Sequence, residues 1–232
     1  MNIKTKELRQ VTTSEASDTS PGWSPDGKNI VFDSNRNGNN DIFQKPVAGG
    51  IVLQLTSHQK SDREPKWSPK GDEIVFNSNR TGSSEIYVIP SSGGDPRRLA
   101  PETHGNKPVW SPDGSKIAFR STEPTGFQEV FYVSSKGGKP VQLTNLGVNR
   151  NILPHYWSSD GRYIYASGNE DRPKSPGIWM VSFPDGAAKP LLSGVGGHKR
   201  IRWSFSSDGV RIYFLLREEI GDLSIAELSE VK

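Results

Sequence analysis

The sequence contains no cysteine among its 232 residues and only two methionines. The lack of cysteine excludes a disulfide framework, a thiolate zinc site and a cysteine nucleophile, and it leaves the redox compartment open. No apolar stretch approaches the roughly eighteen residues of a membrane-spanning helix, and the start, Met-Asn-Ile-Lys-Thr-Lys-Glu-Leu, lacks an apolar signal core. We therefore expect no membrane insertion. The location stays unassigned: periplasmic or otherwise exported if a signal has been removed, and cytoplasmic if not.

The charges also lack clustering. The 29 Lys and Arg residues against 26 Asp and Glu give a formal charge of +3, and no run of five like charges occurs. A nucleic-acid interface needs a basic stripe, so this distribution argues against one. The apolar fraction is only 32%, whereas glycine (24) and proline (17) are abundant. Because the apolar residues come in short bursts without a 3.6-residue period, we expect many short strands, tight turns and almost no helix.

A five-residue segment, Trp-Ser-Pro-Asp-Gly, recurs along the whole chain in more or less altered form. Ser-Pro-Asp-Gly is a typical tight turn, because proline presets φ, aspartate caps the turn and glycine relieves its exit. A period in the mid-forties is what four short strands and their turns require. The aromatic residues of the five copies are Trp23, Trp67, Trp110, Trp157 and Phe205, at intervals of 44, 43, 47 and 48 residues.

Each copy predicts one four-stranded unit. In the first copy, an alternating strand over residues 29–32 follows the turn, a polar turn over 34–38 leads to a third strand at 41–43, and a Gly-Gly turn leads to a fourth at 53–56. The acidic residues that precede the third strands, Asp41, Glu85 and Glu129, are expected to pair with Arg36 and Arg80 or with backbone amides. The repeated turn carboxylates on the opposite face are interpreted as structural: Asp26, Asp113, Asp160 and Asp208.

The fifth copy lacks its fourth strand, and residues 6–12 at the other end read like a fourth strand without its first three. Pairing the two would satisfy an open sheet edge. The sequence therefore predicts an all-β fold, a five-bladed β-propeller of four-stranded antiparallel blades, with the N-terminal strand closing the last blade. A fragment of a six-bladed propeller is the alternative. The chain would be one domain, 1–232, with blades at 17–56, 62–100, 105–144, 150–193, and 199–228 plus 6–12.

The repeat combines Trp-Ser-Pro-Asp-Gly, Ser-Asn-Arg-x-Gly-x-x-Asp/Glu-Ile-Tyr/Phe, Gly-Gly and Leu-Thr, and it resembles the WD-like propeller repeat of the TolB family over residues 6–228. Similar repeats occur in propeller domains of prolyl-oligopeptidase-type and tricorn-type proteases. TolB has an additional N-terminal α/β domain and six blades, neither of which this sequence matches. The chain contains no Gly-x-Ser-x-Gly nucleophile elbow, so it is not a peptidase on its own.

All four histidines lie in or beside the connections between blades, which open onto one face of a propeller around the channel mouth. The segment from His104 to Gly114 resembles a TolB segment whose histidine also stands six residues before the anchor aromatic. In that family the loop contacts the lipoprotein Pal, which implies a protein partner on this face, although Lys107 replaces a small residue. The predicted partner-binding residues are His58, Asp62, Glu64, His104, Lys107, Arg150, His155, His198 and Arg200.

Three functions remain open from the sequence. The first is a non-catalytic, monomeric binding propeller that presents the channel mouth to a protein or peptide, with no cofactor and no catalytic residue assigned. The second is a metal-dependent carbohydrate-active enzyme, similar to the oligogalacturonate lyases among TolB-like propellers, with His104 and His155 as candidate ligands. The third is a propeller module detached from a larger TolB-type or peptidase-type parent.

Overall fold

The structure, a computed structural model, describes residues 10–101, 103–122, 126–147, 151–169, 177–192, 199–207, 211–218 and 223–229. Side chains are described through residue 192, apart from Asn169, and only the backbone is described beyond it. Within these ranges the secondary structure is entirely β, so no described helix has the length and apolarity to cross a membrane.

The described residues form 19 strands. Their bounds are β1 (Asp18–Trp23), β2 (Asn29–Ser34), β3 (Asp41–Pro46), β4 (Leu53–Gln54), β5 (Asp62–Trp67), β6 (Glu73–Ser78), β7 (Glu85–Pro90), β8 (Arg97–Arg98), β9 (Gly105–Trp110), β10 (Lys116–Ser121), β11 (Glu129–Ser134), β12 (Val141–Gln142), β13 (Asn151–Trp157), β14 (Tyr163–Asn169), β15 (Gly177–Ser182), β16 (Ala188–Leu192), β17 (Lys199–Ser207), β18 (Arg211–Glu218) and β19 (Leu223–Ser229).

These strands form five successive antiparallel sheets, four of four strands and a last one of three, each ordered as the chain runs. This arrangement confirms the predicted propeller of four-stranded blades. The first strands of successive blades pack against one another, β1 on β5, β5 on β9, β9 on β13 and β13 on β17, so they form the inner wall. The predicted closing strand, residues 6–12, lies for the most part outside the described residues, and residues 10–12 are not in a strand.

The hydrophobic core lies between blades, because alternate residues of a strand point to opposite faces of its sheet. Val31 and Ile42 of the first blade pack on Ile74 and Phe76 of the second. The opposite faces of the same strands form the next layers: Val75 and Val88 with Trp110 and Phe119, then Val109 and Ala118 with Ile164 and Trp179. Each blade thus stabilises the one that follows it.

The repeated turn is a hydrogen-bonded loop as the sequence predicts. In the first blade the Ser24 hydroxyl donates to Asp26 Oδ1 at 2.6 Å, and the same hydroxyl oxygen accepts from the Asn29 N–H at 2.9 Å. The second blade has Lys70 where the others have aspartate. In that blade Asp72 replaces the turn aspartate as the acceptor, and its Oδ1 accepts a hydrogen bond from the Ser68 hydroxyl at 2.6 Å.

The Ser-Asn-Arg turns pair differently from the prediction. Arg36 binds Asp18 at 2.8 Å and Arg80 binds Asp62 at 2.9 Å, so both arginines reach the start of their own inner strand. The arginines also stack on the aromatic pairs of β2–β3 and β6–β7, with guanidinium-to-centroid distances of 4.6 Å to Phe43 and to Tyr87. The prediction that Arg36 and Arg80 pair with the acidic residues before the third strands was therefore wrong.

The acidic residues at the starts of the third strands instead hold the outer edge of each blade. Asp41 accepts from the Gln54 amide at 3.0 Å and from the His58 N–H at 3.3 Å. Glu85 pairs with Arg98, and Glu129 accepts the Leu146 N–H at 2.7 Å. The alternative prediction, binding to backbone amides, is thus confirmed for two of the three.

Candidate functional site in the central channel

The inner strands place one strained residue each into the channel in the first three blades. Ser20, Glu64 and Lys107 have φ values of 53°, 58° and 56°, and they are the non-glycine residues with positive φ in the described chain. Each stands directly before a proline, at a bulge where the pairing of inner and second strand shifts register. A left-handed conformation costs an L-residue roughly 1–2 kcal/mol, so the surrounding structure must impose it.

Carboxylates from neighbouring blades fix this conformation. The Glu64 N–H donates to Asp33 Oδ1 of the first blade at 3.1 Å. The Lys107 N–H donates in turn to Glu64 Oε2 at 3.1 Å, and the Lys107 ammonium forms an ion pair with the same carboxylate. With its amide oriented to satisfy both ends, Asn77 also donates to Glu64 Oε2 at 2.8 Å. The strained backbone is therefore tied from blade to blade.

These residues surround a cavity of about 370 Å³, here called the charged cavity, lined in part by Ser20, Glu64, Lys66, Lys107 and His155. Burial lowers the pKa of Lys66, and repulsion from Lys107 adds to this, while Glu64 and Asp33 oppose it. Because Lys66 and Lys107 both line this cavity, it favours ligands with negative or hydrogen-bond-accepting groups.

His155 is the neutral member of this set. Its Nε2 lies 2.7 Å from the Ser167 hydroxyl oxygen. Burial, followed by repulsion from Lys107 and Lys66, lowers its pKa to about 4. The imidazole is therefore uncharged near neutral pH and available for hydrogen bonding rather than for ion pairing.

A second cavity of about 520 Å³, here called the tryptophan cavity, adjoins the charged cavity and extends to the anchor tryptophans at the ends of the inner strands. Its described walls include the anchor tryptophans of the first four blades, three turn prolines and Tyr156. Lys66 and His155 lie where it adjoins the charged cavity. Trp23 is 62% exposed, whereas Trp110 is 9% exposed and donates its Nε1 hydrogen to the Lys66 carbonyl at 3.1 Å.

The structure brings three of the predicted partner-binding residues together: Glu64, Lys107 and His155 all line the charged cavity. His58 and His104 are exposed in the connecting loops and line neither described cavity. Asp62 is fully buried and is paired with Arg80. Arg150 and His198 lie outside the described residues, and Arg200 is described in backbone only, within β17. The site as a whole stays a prediction.

One feature of the channel was missed from sequence. Lys66 occupies the position directly before the anchor aromatic, where the other three of the first four blades have Gly22, Val109 and Tyr156, and this change of residue type was a readable signal. Where a bulge turns the side chains of an inner strand, alternation alone does not show which ones face the channel.

The candidate metal ligands do not form a described cluster. Within the part of the chain that the structure describes, no group of three or more His, Cys, Asp or Glu side chains is placed to hold a metal ion. His155 lines the channel, whereas His104 does not line its cavities. The metal-dependent enzyme therefore gains no geometric support from these residues and stays a prediction.

Comparison of the sequence with protein-family models and with curated proteins found no match. Solved structures do match. The putative TolB from Agrobacterium tumefaciens is 21% identical, covers 98% of this chain and 82% of its own, and gives a TM-score of 0.79. TolB from Acinetobacter baumannii is 22% identical over 99% of this chain, with a TM-score of 0.74, and this chain spans 58% of its length. The fold is that of the TolB propeller.

Propellers of other activities match as well. The oligogalacturonate lyase from Vibrio parahaemolyticus is 11% identical, with a TM-score of 0.68, and covers 99% of this chain and 70% of its own. Propeller-bearing peptidases also match. At identities this low, structural similarity establishes the architecture alone, and proteins of many functions share this architecture.

Proposed function

We propose that this protein is a binding propeller that holds a peptide, or a segment of a partner protein, at the channel mouth beside Glu64 and Lys107. The observation that carries the proposal is the row of strained residues, Ser20, Glu64 and Lys107, which project into one cavity from three successive blades. Backbone strain of this kind collects at binding and catalytic sites, because folding alone does not favour it.

The rigidity of the mouth supports binding rather than turnover. The blades carry the strained residues on paired strands tied to one another by Asp33 and Glu64, so little conformational entropy would be lost when a partner docks. The resemblance of residues 104–114 to the partner-contacting loop of the TolB family favours the same face.

The Glu64–Lys107 pair gives this mouth one charge of each sign. A partner segment with an acidic and a basic side chain would replace the internal ion pair by two new ones. Its acidic group would pair with Lys107 and its basic group with Glu64. Since the pair is partly exposed, its main contribution would be to selectivity rather than to affinity.

Selection of peptides from a random display library on the purified protein tests the proposal. We expect an enriched sequence whose affinity, measured by calorimetry, falls at least about tenfold in the charge-reversed variant Lys107→Glu. The double variant Glu64→Lys/Lys107→Glu restores the internal ion pair and checks that the fold is intact.

The matched control is Lys139→Glu, the same charge change at an exposed residue of the turn between β11 and β12. It should leave the affinity unchanged. Peptides that bind Lys107→Glu as well as the unaltered protein, or repeated selections that enrich no sequence, would show that the mouth is not the binding site.

A further inference from the structure

The tryptophan cavity differs from the charged cavity in its chemistry. Its described walls are aromatic rings, prolines, Val109 and small residues, and Lys66 is their one cationic side chain, because His155 is neutral. A cavity of about 520 Å³ lies within the range of pockets that hold small organic ligands, roughly 300–1,000 Å³. The walls therefore favour a flat or apolar body, and Lys66 favours one negative charge.

Lys66 forms no ion pair with a described carboxylate, and Glu64 and Asp33 favour its charged form only from beyond ion-pair distance. In the described part of the chain its ammonium group makes no ion pair and no hydrogen bond, although it is partly buried. The nearest carboxylates are already engaged. Glu64 holds the ammonium and the N–H of Lys107, and Asp33 accepts from Thr19, Asn40 and the Glu64 N–H at 2.5, 2.9 and 3.1 Å.

A partly buried, unpaired ammonium is unfavourable, and an anion supplied from solution would relieve this cost. The ligand would carry a single negative charge, since the described walls of the tryptophan cavity hold no second cation. Carboxylate is a suitable partner for a single ammonium, because hydrogen bonds between ionised groups are stronger than those between neutral ones.

We propose that the tryptophan cavity binds a carboxylate carried on an aromatic or apolar body, with the body against Trp67, Trp110 and Trp157 and the carboxylate paired with Lys66. This site adjoins the peptide site proposed at the mouth and shares Lys66 and His155 with it, but its aromatic walls lie at the tryptophan ends of the inner strands and it does not require Lys107. The carboxylate could be that of a small aromatic acid or the C-terminus of a peptide.

Calorimetric titration of the whole protein with matched acids and amides tests this proposal. The probes are 3-phenylpropionate against 3-phenylpropanamide, and N-acetyl-phenylalanine against its amide as a stand-in for a peptide C-terminus. We expect at least one acid to bind about tenfold or more tightly than its amide, with a change in tryptophan fluorescence because tryptophans form the walls. The tighter of the two acids identifies the source of the carboxylate.

Three variants locate the binding. Lys66→Met keeps an apolar stem of similar length and should reduce the acid-to-amide ratio to about one, whereas Lys66→Arg, which keeps the charge and guards against misfolding, should preserve a preference for the acid. The paired variant Glu64→Gln/Lys107→Met removes both members of the ion pair and so frees no carboxylate for Lys66; it and the remote control Lys139→Met should leave the ratio unchanged.

Equal binding of acid and amide by the unaltered protein would overturn the proposal. So would an undiminished ratio in Lys66→Met, or no saturation at about 10 mM of either acid. A ratio that falls in Glu64→Gln/Lys107→Met instead would place the anion in the charged cavity and would equally refute this assignment.

Discussion

Single residues decide how closely the repeats match one another. The Ser-Pro-Asp-Gly turn follows directly from its sequence, yet the loss of its aspartate at Lys70 is compensated by Asp72, two residues later. Sequence reasoning finds such a turn because its bonds are local. Sequence reasoning did not find Lys66, because its role depends on contacts between blades. Asp33 and Glu64 accept hydrogen bonds from neighbouring blades, and neither carboxylate forms an ion pair with the Lys66 ammonium.

The turn carboxylates make the propeller sensitive to acid. Hydrogen bonds from serine hydroxyls and backbone N–H groups lower the pKa of Asp26, Asp72, Asp113 and Asp160, that of Asp160 to about 2. A carboxyl whose pKa is lower in the folded state stabilises it fully above the unfolded value of 3.8, and this contribution is lost as the pH falls toward 2. We expect the thermal midpoint to fall as the pH decreases from 4 to 2.

The variant Asp160→Asn should show a shallower decline over that interval, because one titrating group has been removed. Differential scanning calorimetry at several pH values measures this. Asp95→Asn is the control, since the Asp95 carboxylate accepts no hydrogen bond in the described chain and is exposed. An unchanged slope for Asp160→Asn would contradict the assigned role of the turn.

At the scale of strands, the sequence predicted the four-part blades well, because the strand alternation and the turn residues agree. It overestimated the fourth strands, which have two residues each in the first three blades. It also missed the inner-strand bulges: nothing in Ser20-Pro21 or Glu64-Pro65 signals a positive φ, and at Glu64 this conformation is accompanied by a hydrogen bond to Asp33 of the adjacent blade. The candidate site lies on these bulges, so its geometry required the structure.

Close approach between blades makes one turn glycine much less replaceable than another. A Cβ on Gly186 would lie 1.8 Å from the Leu143 carbonyl oxygen of the preceding blade, whereas a Cβ on Gly27 would meet nothing within 4 Å. Their φ values, +73° and +69°, impose the same backbone strain.

Urea unfolding should therefore rank the two alanine variants. Gly27→Ala is expected to lower the free energy of unfolding by about 1 kcal/mol through backbone strain alone, and Gly186→Ala by roughly 2 kcal/mol more, because the blades must separate to admit the methyl group. Equal losses would mean that the fourth blade can shift freely relative to the third.

At the scale of the whole molecule, the number and order of the blades follow from the repeat, whereas the closure of the ring does not. The phased copies from Trp23 to Phe205 predict the number of sheets and their order, and both are confirmed. How the ring closes depends on residues 6–12, which are not part of the repeat and lie mostly outside the described chain. The TolB-type fold is established, but the ligand depends on channel side chains that differ between blades.

The outer edges of the blades favour a monomer. In the first three blades the outermost strand is only two residues long, and such short edges offer little backbone for pairing with another molecule. Light scattering after gel filtration should give the monomer mass of 25.6 kDa across concentrations. A mass near twice that value would show that an edge or an exposed face mediates self-association.

The prolines of the inner strands have one further consequence. In the first four blades the inner strand is also a sheet edge, and Pro21, Pro65, Pro108 and Pro154 stand on it next to or within the bulges. Proline has no N–H to donate, and a bulge bends the edge away from a flat ladder. A peptide that enters this channel therefore cannot add a fifth β-strand to any of these four blades. Along them recognition comes from side chains, which makes it sensitive to the sequence of the ligand.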